Sequence, residues 1–282
     1  MKVKVIATST SCLDYYPNNL DIDLIRLKIY INNQEYIDGD TLKAYEFYNL
    51  LNENSKLIPK TSQPSVGELV NYFMKILMQG YQKIFVITLS QQLSGSFNAV
   101  VQAQKIVKDK IDIIPYDTNT VCFSEGYFAL ETQRLLRKGV LISNIIKHLD
   151  FLKRNNTIFF IVNSLTYLIN NGRLSKTKGF LGRLFGVKPV LQVNHEGQIV
   201  LLSKHLNIDK AVNFMLHRLQ QYINNRKFTL YILFTGNIFL KNKLKKILQK
   251  IFQLTNILEI PSTPVVGAHV GSNVVGVGVF LH

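Results

Sequence analysis

The chain has 282 residues, 47% of them hydrophobic and 18% charged, a balance that fits a folded globular protein and excludes a disordered one. It carries 33 Lys and Arg against 18 Asp and Glu, a formal net charge of +15. Residues 1–140 hold 15 basic and 14 acidic side chains, net +1, whereas residues 141–282 hold 18 and 4, net +14. A surface of that sign draws an acidic protein, an anionic membrane or nucleic acid. Many of the lysines, as in "LKNKLKKILQK" from Leu240, equally suit solvated helix faces.

In chain order, "KVKVIAT" reads as a first strand running into the hydroxyl-rich "TSTS" of Thr8–Ser11. Its apolar run is too short for a signal peptide. Further on, Thr61-Ser62-Gln63-Pro64-Ser65 crowds three hydroxyls and an amide before an apolar run. Ser65 and Glu68 have capping-box spacing, and Pro64 suits a first helical turn, so a helix is expected to begin within a residue or two of Pro64. Val66, Leu69, Val70, Phe73 and Leu77 give it one apolar face, and Gly80 a stop. One capping side chain suffices for a helix, which leaves the other hydroxyls to explain.

"KIFVITLS" (Lys83–Ser90) reads as a buried strand, followed by a turn around Ser94-Gly95-Ser96 and a helix. "KIDIIPYDTN" is the next strand, and a helix from about Glu125 to Lys138 stops at Gly139. This alternation is that of a mostly parallel sheet with crossover helices. The second half is less regular. "ISNIIKHLDFLKR" is a helix, "TIFFIV" a strand and "LTYLINNGRLS" a short helix entering a glycine turn. Alternating residues on either side of Asn194–Gly197 signal a hairpin. A helix at "DKAVNFMLHRLQQYINN", a strand at "FTLYILFTG", a helix at "NKLKKILQKIF" and a glycine-laced terminal strand follow. The expected fold is α/β in two lobes, residues 1–150 and 151–282, the second with a mixed sheet.

The longest apolar stretch, "TIFFIVNSLTYLI", is broken by Asn163 and Ser164, so no membrane span is expected. Cys12 and Cys122 are too far apart for a metal-type pair, and the six histidines show no ligand spacing. No metal or cofactor is expected, and the chain reads as cytoplasmic. Neither G-x-x-x-x-G-K-[ST] nor G-x-G-x-x-G occurs, nor a G-x-S-x-G elbow.

Three junctions share one chemistry: "TSTS", "TSQPS" and "LSGSF". In open α/β sheets ligands sit beyond the carboxyl ends of the strands, where helix N-termini attract anions. Hydroxyls there suit a small planar anion such as a carboxylate, although serine and threonine also cap helices anywhere. Gly95 would let a ligand approach the backbone. His269, between Gly267 and Gly271, could donate a hydrogen bond to the same anion or serve as a core residue. Two other readings are open: a hydrolase or transferase with Ser94 as nucleophile, and a nucleic-acid binder using the basic half. The first lacks a partner for Ser94 in sequence order, and the second lacks interleaved aromatics and any recognition motif.

Taken in order, "TST", "TSQPS", "LSGSF", "DT" at Asp117–Thr118, "NNGRLS" from Asn170, "GVKPVL" from Gly186 and "PVVGAHVGS" from Pro264 resemble the DegV family of bacterial fatty-acid-binding proteins. The resemblance covers nearly the whole chain. It implies a carrier, not an enzyme, that holds a long-chain, palmitate-like fatty acid between two lobes. The carrier presents that acid to a fatty acid kinase for phosphorylation, feeding phospholipid synthesis. It further implies that Thr61, Ser94 and His269 hold the carboxylate, with Ser62, Gly95 and Ser96 in the supporting loops. Arg173 is implied as a contact with the kinase. An anionic membrane is a further expected partner, and nucleic acid is not. The family's first loop usually reads D-S-T-[SA]-D-L; here Thr8–Leu13 lacks both aspartates, and Ser272-Asn273-Val274 replace the glycines usual after H-V-G.

Overall fold

The computed structural model describes residues 2–18, 21–54, 56–174 and 186–282; Ser175, which ends the "NNGRLS" motif, lies outside them. The first half runs β1 (Val3–Thr8), β2 (Ile22–Ile25), β3 (Lys28–Ile31), β4 (Gln34–Ile37), α1 (Ala44–Glu53), β5 (Lys60–Ser62), α2 (Val66–Met78), β6 (Lys83–Thr88), α3 (Ser96–Val107), β7 (Asp112–Asp117), α4 (Phe123–Arg137) and α5 (Ile142–Arg154). Then come β8 (Asn156–Ile161), α6 (Thr166–Asn170), β9 (Lys188–Val193), β10 (Ile199–His205), α7 (Ile208–Ile223), β11 (Phe228–Thr235), α8 (Ile238–Phe252), β12 (Leu258–Pro261), α9 (Pro264–Val270) and β13 (Val274–Leu281).

A four-stranded sheet, β2-β1-β6-β7, is parallel throughout. Its strands read as continuous apolar runs because both faces are covered. On one side Ile6, Ile84 and Val86 meet Leu69, Phe73 and Ile76 of α2 and Val100 and Ala103 of α3. On the other, Val5, Phe85 and Ile87 join Phe128 of α4 and Ile145 and Leu149 of α5. The helix expected at Pro64 begins at Val66. Ser65 Oγ accepts from Glu68 N–H at 3.2 Å, and Glu68 Oε2 accepts from Ser65 N–H at 2.7 Å, which closes the capping box.

The second sheet has the order β10-β9-β8-β13-β11-β12, antiparallel except for β11 with β12. α7 and α8 cover one face through Met215, Leu219, Leu244 and Leu248. The other face turns Ile158, Phe160, Tyr231 and Leu233 into the same core as α4. α4 therefore lies between the two sheets, and the fold is the expected α/β, one parallel and one mixed sheet.

A third sheet, β4-β3-β5, has no counterpart among the sequence expectations. Its signal is present in the chain: "IRLKIYI" alternates, and Asn32 and Asn33, at φ 49° and 66°, make the left-handed pair of a two-residue hairpin turn. The tail also divides in two. "PVVGAHV" is helical, with Pro264 at its first turn, and only Val274–Leu281 forms the glycine-laced strand.

Candidate functional site

A cavity of about 340 Å³ opens where the loops beyond the parallel strands meet the inner face of the six-stranded sheet. Its apolar wall includes Leu89, Val121, Ile158, Phe160, Val193, Leu233 and Val266. Thr61, Ser62, Gln63, Ser94, Arg173 and His269 cluster as polar side chains at its other end, and Thr10 and Ser262 also line it. Of the residues singled out from the sequence, Thr61, Ser62, Ser94, Arg173 and His269 thus line one space; Gly95 and Ser96 stand just behind it.

Each polar residue is held by its own local structure. Thr61 sits in β5, opposite Ile29 of β3, so its backbone is fixed by the third sheet. His269 sits near the end of α9, and Thr61 Oγ1 lies 2.8 Å from its Nε2. The start of α9 gains no side-chain bond from its N-cap, Thr263. Asp38, just past β4, fills that role instead: its Oδ1 accepts from Val265 N–H at 3.0 Å. Burial pushes the Asp38 carboxyl up to about 6. Gly267 is required by packing, since a Cβ there would stand 2.6 Å from Tyr48 Cε1 and 2.7 Å from Phe47 Cε1. Gly271 makes the same allowance for Tyr167. The glycines around His269 therefore admit aromatic side chains of the protein itself.

Ser94 and Ser96 form the start of α3, where Ser94 Oγ accepts from Ser96 N–H at 3.2 Å and lies 2.9 Å from Ser96 Oγ. Gly95 leaves space for the Gln63 amide, which a Cβ would meet at 2.1 Å, so the "TSQPS" and "LSGSF" loops interlock there. Arg173 donates to Leu93 O at 3.1 Å and Asn171 O at 2.5 Å, which places its charge beside Ser94. Burial, and secondarily that guanidinium, pull the His269 imidazole down to about 4. At neutral pH the ring is uncharged. Its Nδ1 is buried with no hydrogen-bond partner among the described residues. The tautomer with the proton on Nε2 leaves only a lone pair unmatched and donates to Thr61 Oγ1, freeing the threonine proton for the cavity.

Two contributors escaped the sequence reading. One is Asp38. The other is Glu125, whose carboxyl is fully buried behind Thr10, another lining residue. Thr8 N–H reaches Glu125 Oε1 at 3.1 Å, while the Thr8 and Thr10 hydroxyls lie 2.5 Å from Oε1 and Oε2. The first loop lacks its own aspartates, and α4 brings a carboxyl to it. Burial pushes Glu125 up to about 8, against the pull of those hydrogen bonds.

The polar end thus offers three hydroxyls, an amide, a neutral imidazole and a guanidinium, with no acidic side chain among the described lining residues. That set suits an anion. Among the described residues it does not assemble a nucleophile: there Ser94 Oγ bonds only within its own turn, and His269 has no orienting carboxylate. Among the described residues no cluster of His, Cys, Asp and Glu could hold a metal ion, and no helix is long and apolar enough to cross a membrane.

Comparison with known proteins agrees over the full length. A DegV domain-containing protein of Staphylococcus aureus is 30% identical over 275 residues, covering 96% of each chain. The structure of DegV from Bacillus subtilis, described as a fatty acid binding protein, is 26% identical and matches with a TM-score of 0.87 over 100% of both chains. A DegV lipid binding protein from Thermotoga maritima is also 26% identical, with a TM-score of 0.85 over 100% of this chain and 99% of that one. The family model itself spans residues 2–282, and on these grounds the chain belongs to the DegV family.

Proposed function

We propose that the chain is a fatty-acid carrier: it holds a long-chain acid in the cavity, carboxylate toward Thr61, Ser94 and His269, and presents that carboxylate to a fatty acid kinase. The observation that carries this reading is the pairing of a donor-rich, acid-free polar end with an apolar cavity behind it. In it, residues 1–150 supply most head-group loops and residues 151–282 complete the tail pocket. The two ends divide the energetics. A sixteen-carbon tail gains on the order of 10 kcal/mol, at about 0.8 per buried CH₂, before the costs of association. A buried carboxylate is costly unless several donors converge on it, which Thr61, Ser94 and Arg173 can do. Family relatives described as fatty acid and lipid binding proteins support the ligand class.

Arg173 stands at the polar end, where the kinase must reach the carboxylate, and the basic second half supplies charge for docking to that kinase or to an anionic membrane. The activity is that of a carrier in lipid metabolism, without chemistry of its own. Native mass spectrometry of the purified protein, paired with lipid analysis of an extract, tests the ligand. The expected result is a stoichiometric fatty acid that is lost in Thr61→Ala/Ser94→Ala. A protein that stays bare after incubation with palmitate and oleate would overturn the reading. Kinase turnover insensitive to salt and to Arg173→Ala would remove the docking role.

A further inference from the structure

At its apolar end the cavity reaches the glycine-laced terminal strand. Strand β13 carries Gly276 and Gly278 on the face turned toward α4, opposite Leu233 and Tyr231 of β11 respectively. Their missing side chains open a trough along the sheet. At Gly276 the trough belongs to the cavity. At Gly278 it is filled by the Tyr231 ring, whose Cζ stands 2.0 Å from where a Cβ would be. The Tyr231 hydroxyl hydrogen-bonds Ser124 Oγ of α4, and Phe123 meets the ring edge-on with centroids 5.0 Å apart. Beyond these rings lies a second cleft of about 600 Å³, lined among others by Tyr16, Phe123, Tyr127, Leu230, Tyr231 and Leu258. The partition divides close neighbours along the chain: Cys122 and Leu233 line the cavity, while Phe123 and Tyr231 line the cleft.

We infer that Phe123 and Tyr231 set the acyl-length limit of this chain by walling the tail cavity off from the outer cleft. The inference rests on the fatty-acid reading. An apolar tail gains with every methylene it buries, so affinity climbs with length until the tail meets a wall it cannot displace. Tyr231 is 1% exposed, hydrogen-bonded and in edge contact with a second ring, which makes it such a wall. Without the ring, the trough over Gly278 would connect the cavity to a cleft that already has an apolar floor. Ligands that the wild type rejects for length would then fit.

The test is competition of delipidated protein for an equimolar series of saturated acids, from dodecanoic to tetracosanoic, read by native mass spectrometry. Wild type should show a best length and an affinity drop of about tenfold or more beyond it. Tyr231→Val and, independently, Phe123→Val should move that drop to longer acids, raising relative binding of the first rejected acid about tenfold. Tyr231→Phe keeps the ring and should restore the wild-type limit, which separates a steric wall from loss of the Ser124 bond. A wild-type protein that binds docosanoic acid as tightly as hexadecanoic acid overturns the wall without any variant. So does an unchanged length profile in either folded valine variant, and both results leave the fatty-acid reading standing. A wild type that takes no acid of any length defeats that reading, and the wall falls with it.

Discussion

The two ends of the cavity are built by opposite means. The polar end gathers Thr61, Ser94, Arg173 and His269 from four distant stretches, and each is fixed by directional bonds. Behind them stand buried carboxyls, Glu125 under the first loop and Asp38 at the start of α9. The apolar end has only sheet faces, two glycines and packed rings. Hydrogen bonds weaken steeply with angle, whereas apolar contact does not depend on direction. Damage to a support of the polar end should therefore abolish the site. Damage at the apolar end should cost less and reshape the cavity.

The sharpest way to break that contrast is Glu125→Ala. It strips the carboxyl from Thr8 N–H and from the Thr8 and Thr10 hydroxyls, all buried, and leaves the two hydroxyls only each other. At about 1–3 kcal/mol for each stranded group, urea unfolding should show a loss on the order of 4 kcal/mol, with ligand occupancy lost as well. Glu125→Gln sharpens the point through pH. With a folded value near 8, far above the ordinary glutamate value, the folded protein keeps its proton while the unfolded chain gives it up. The stability conferred by the carboxyl is complete below the ordinary glutamate value of 4.5 and lost as pH rises to about 8. Wild type measured against Glu125→Gln should accordingly weaken across that window, by up to about 1.4 kcal/mol per pH unit. A flat difference would mean that the carboxyl is not held neutral there.

At the apolar end the matching test is Gly276→Ala. The new Cβ would meet Phe160 Cβ at 2.8 Å and Phe159 O at 2.9 Å, so strands must shift to admit it. Overpacking of this kind costs about 2 kcal/mol. Thermal melting should register that cost, and the fatty acid should still bind with a shortened length preference. If binding vanished altogether, the two ends would not differ in tolerance.

What could be read from the chain follows the same division. Parallel strands buried on both faces announce themselves as apolar runs, and Ser65 with Glu68 marks its helix by spacing alone. Thr61 and Ser94 were visible because hydroxyls cluster beside helix starts in the sequence. Glu125 and Asp38 were not, because their partners lie 117 and 227 residues away and no local pattern distinguishes a buried carboxyl from a solvated one. Gly95 reads as room for a ligand, but the amide of Gln63 takes that room, as the rings of Phe47 and Tyr48 take the space at Gly267. The hairpin at Asn32-Asn33 leaves only a weak signal, since the strands beside it are four residues each.

The smallest effect concerns the crowded hydroxyls of "TSQPS". Ser65 and Thr61 are four residues apart and chemically alike, yet they face different tasks. Ser65 is exposed and spends its oxygen on Glu68 N–H, whereas Thr61 lines the cavity against His269. Ser65→Ala should lower the melting temperature for a loss of about 1 kcal/mol, the ordinary cost of an N-cap, and leave fatty-acid occupancy intact. Thr61→Ala should do the reverse, changing stability little and occupancy strongly. If both variants lost ligand equally, the segment would act as one unit and the separation of cap from ligand contact would fail. If neither did, the head group would be held by Ser94 and Arg173 without help from β5.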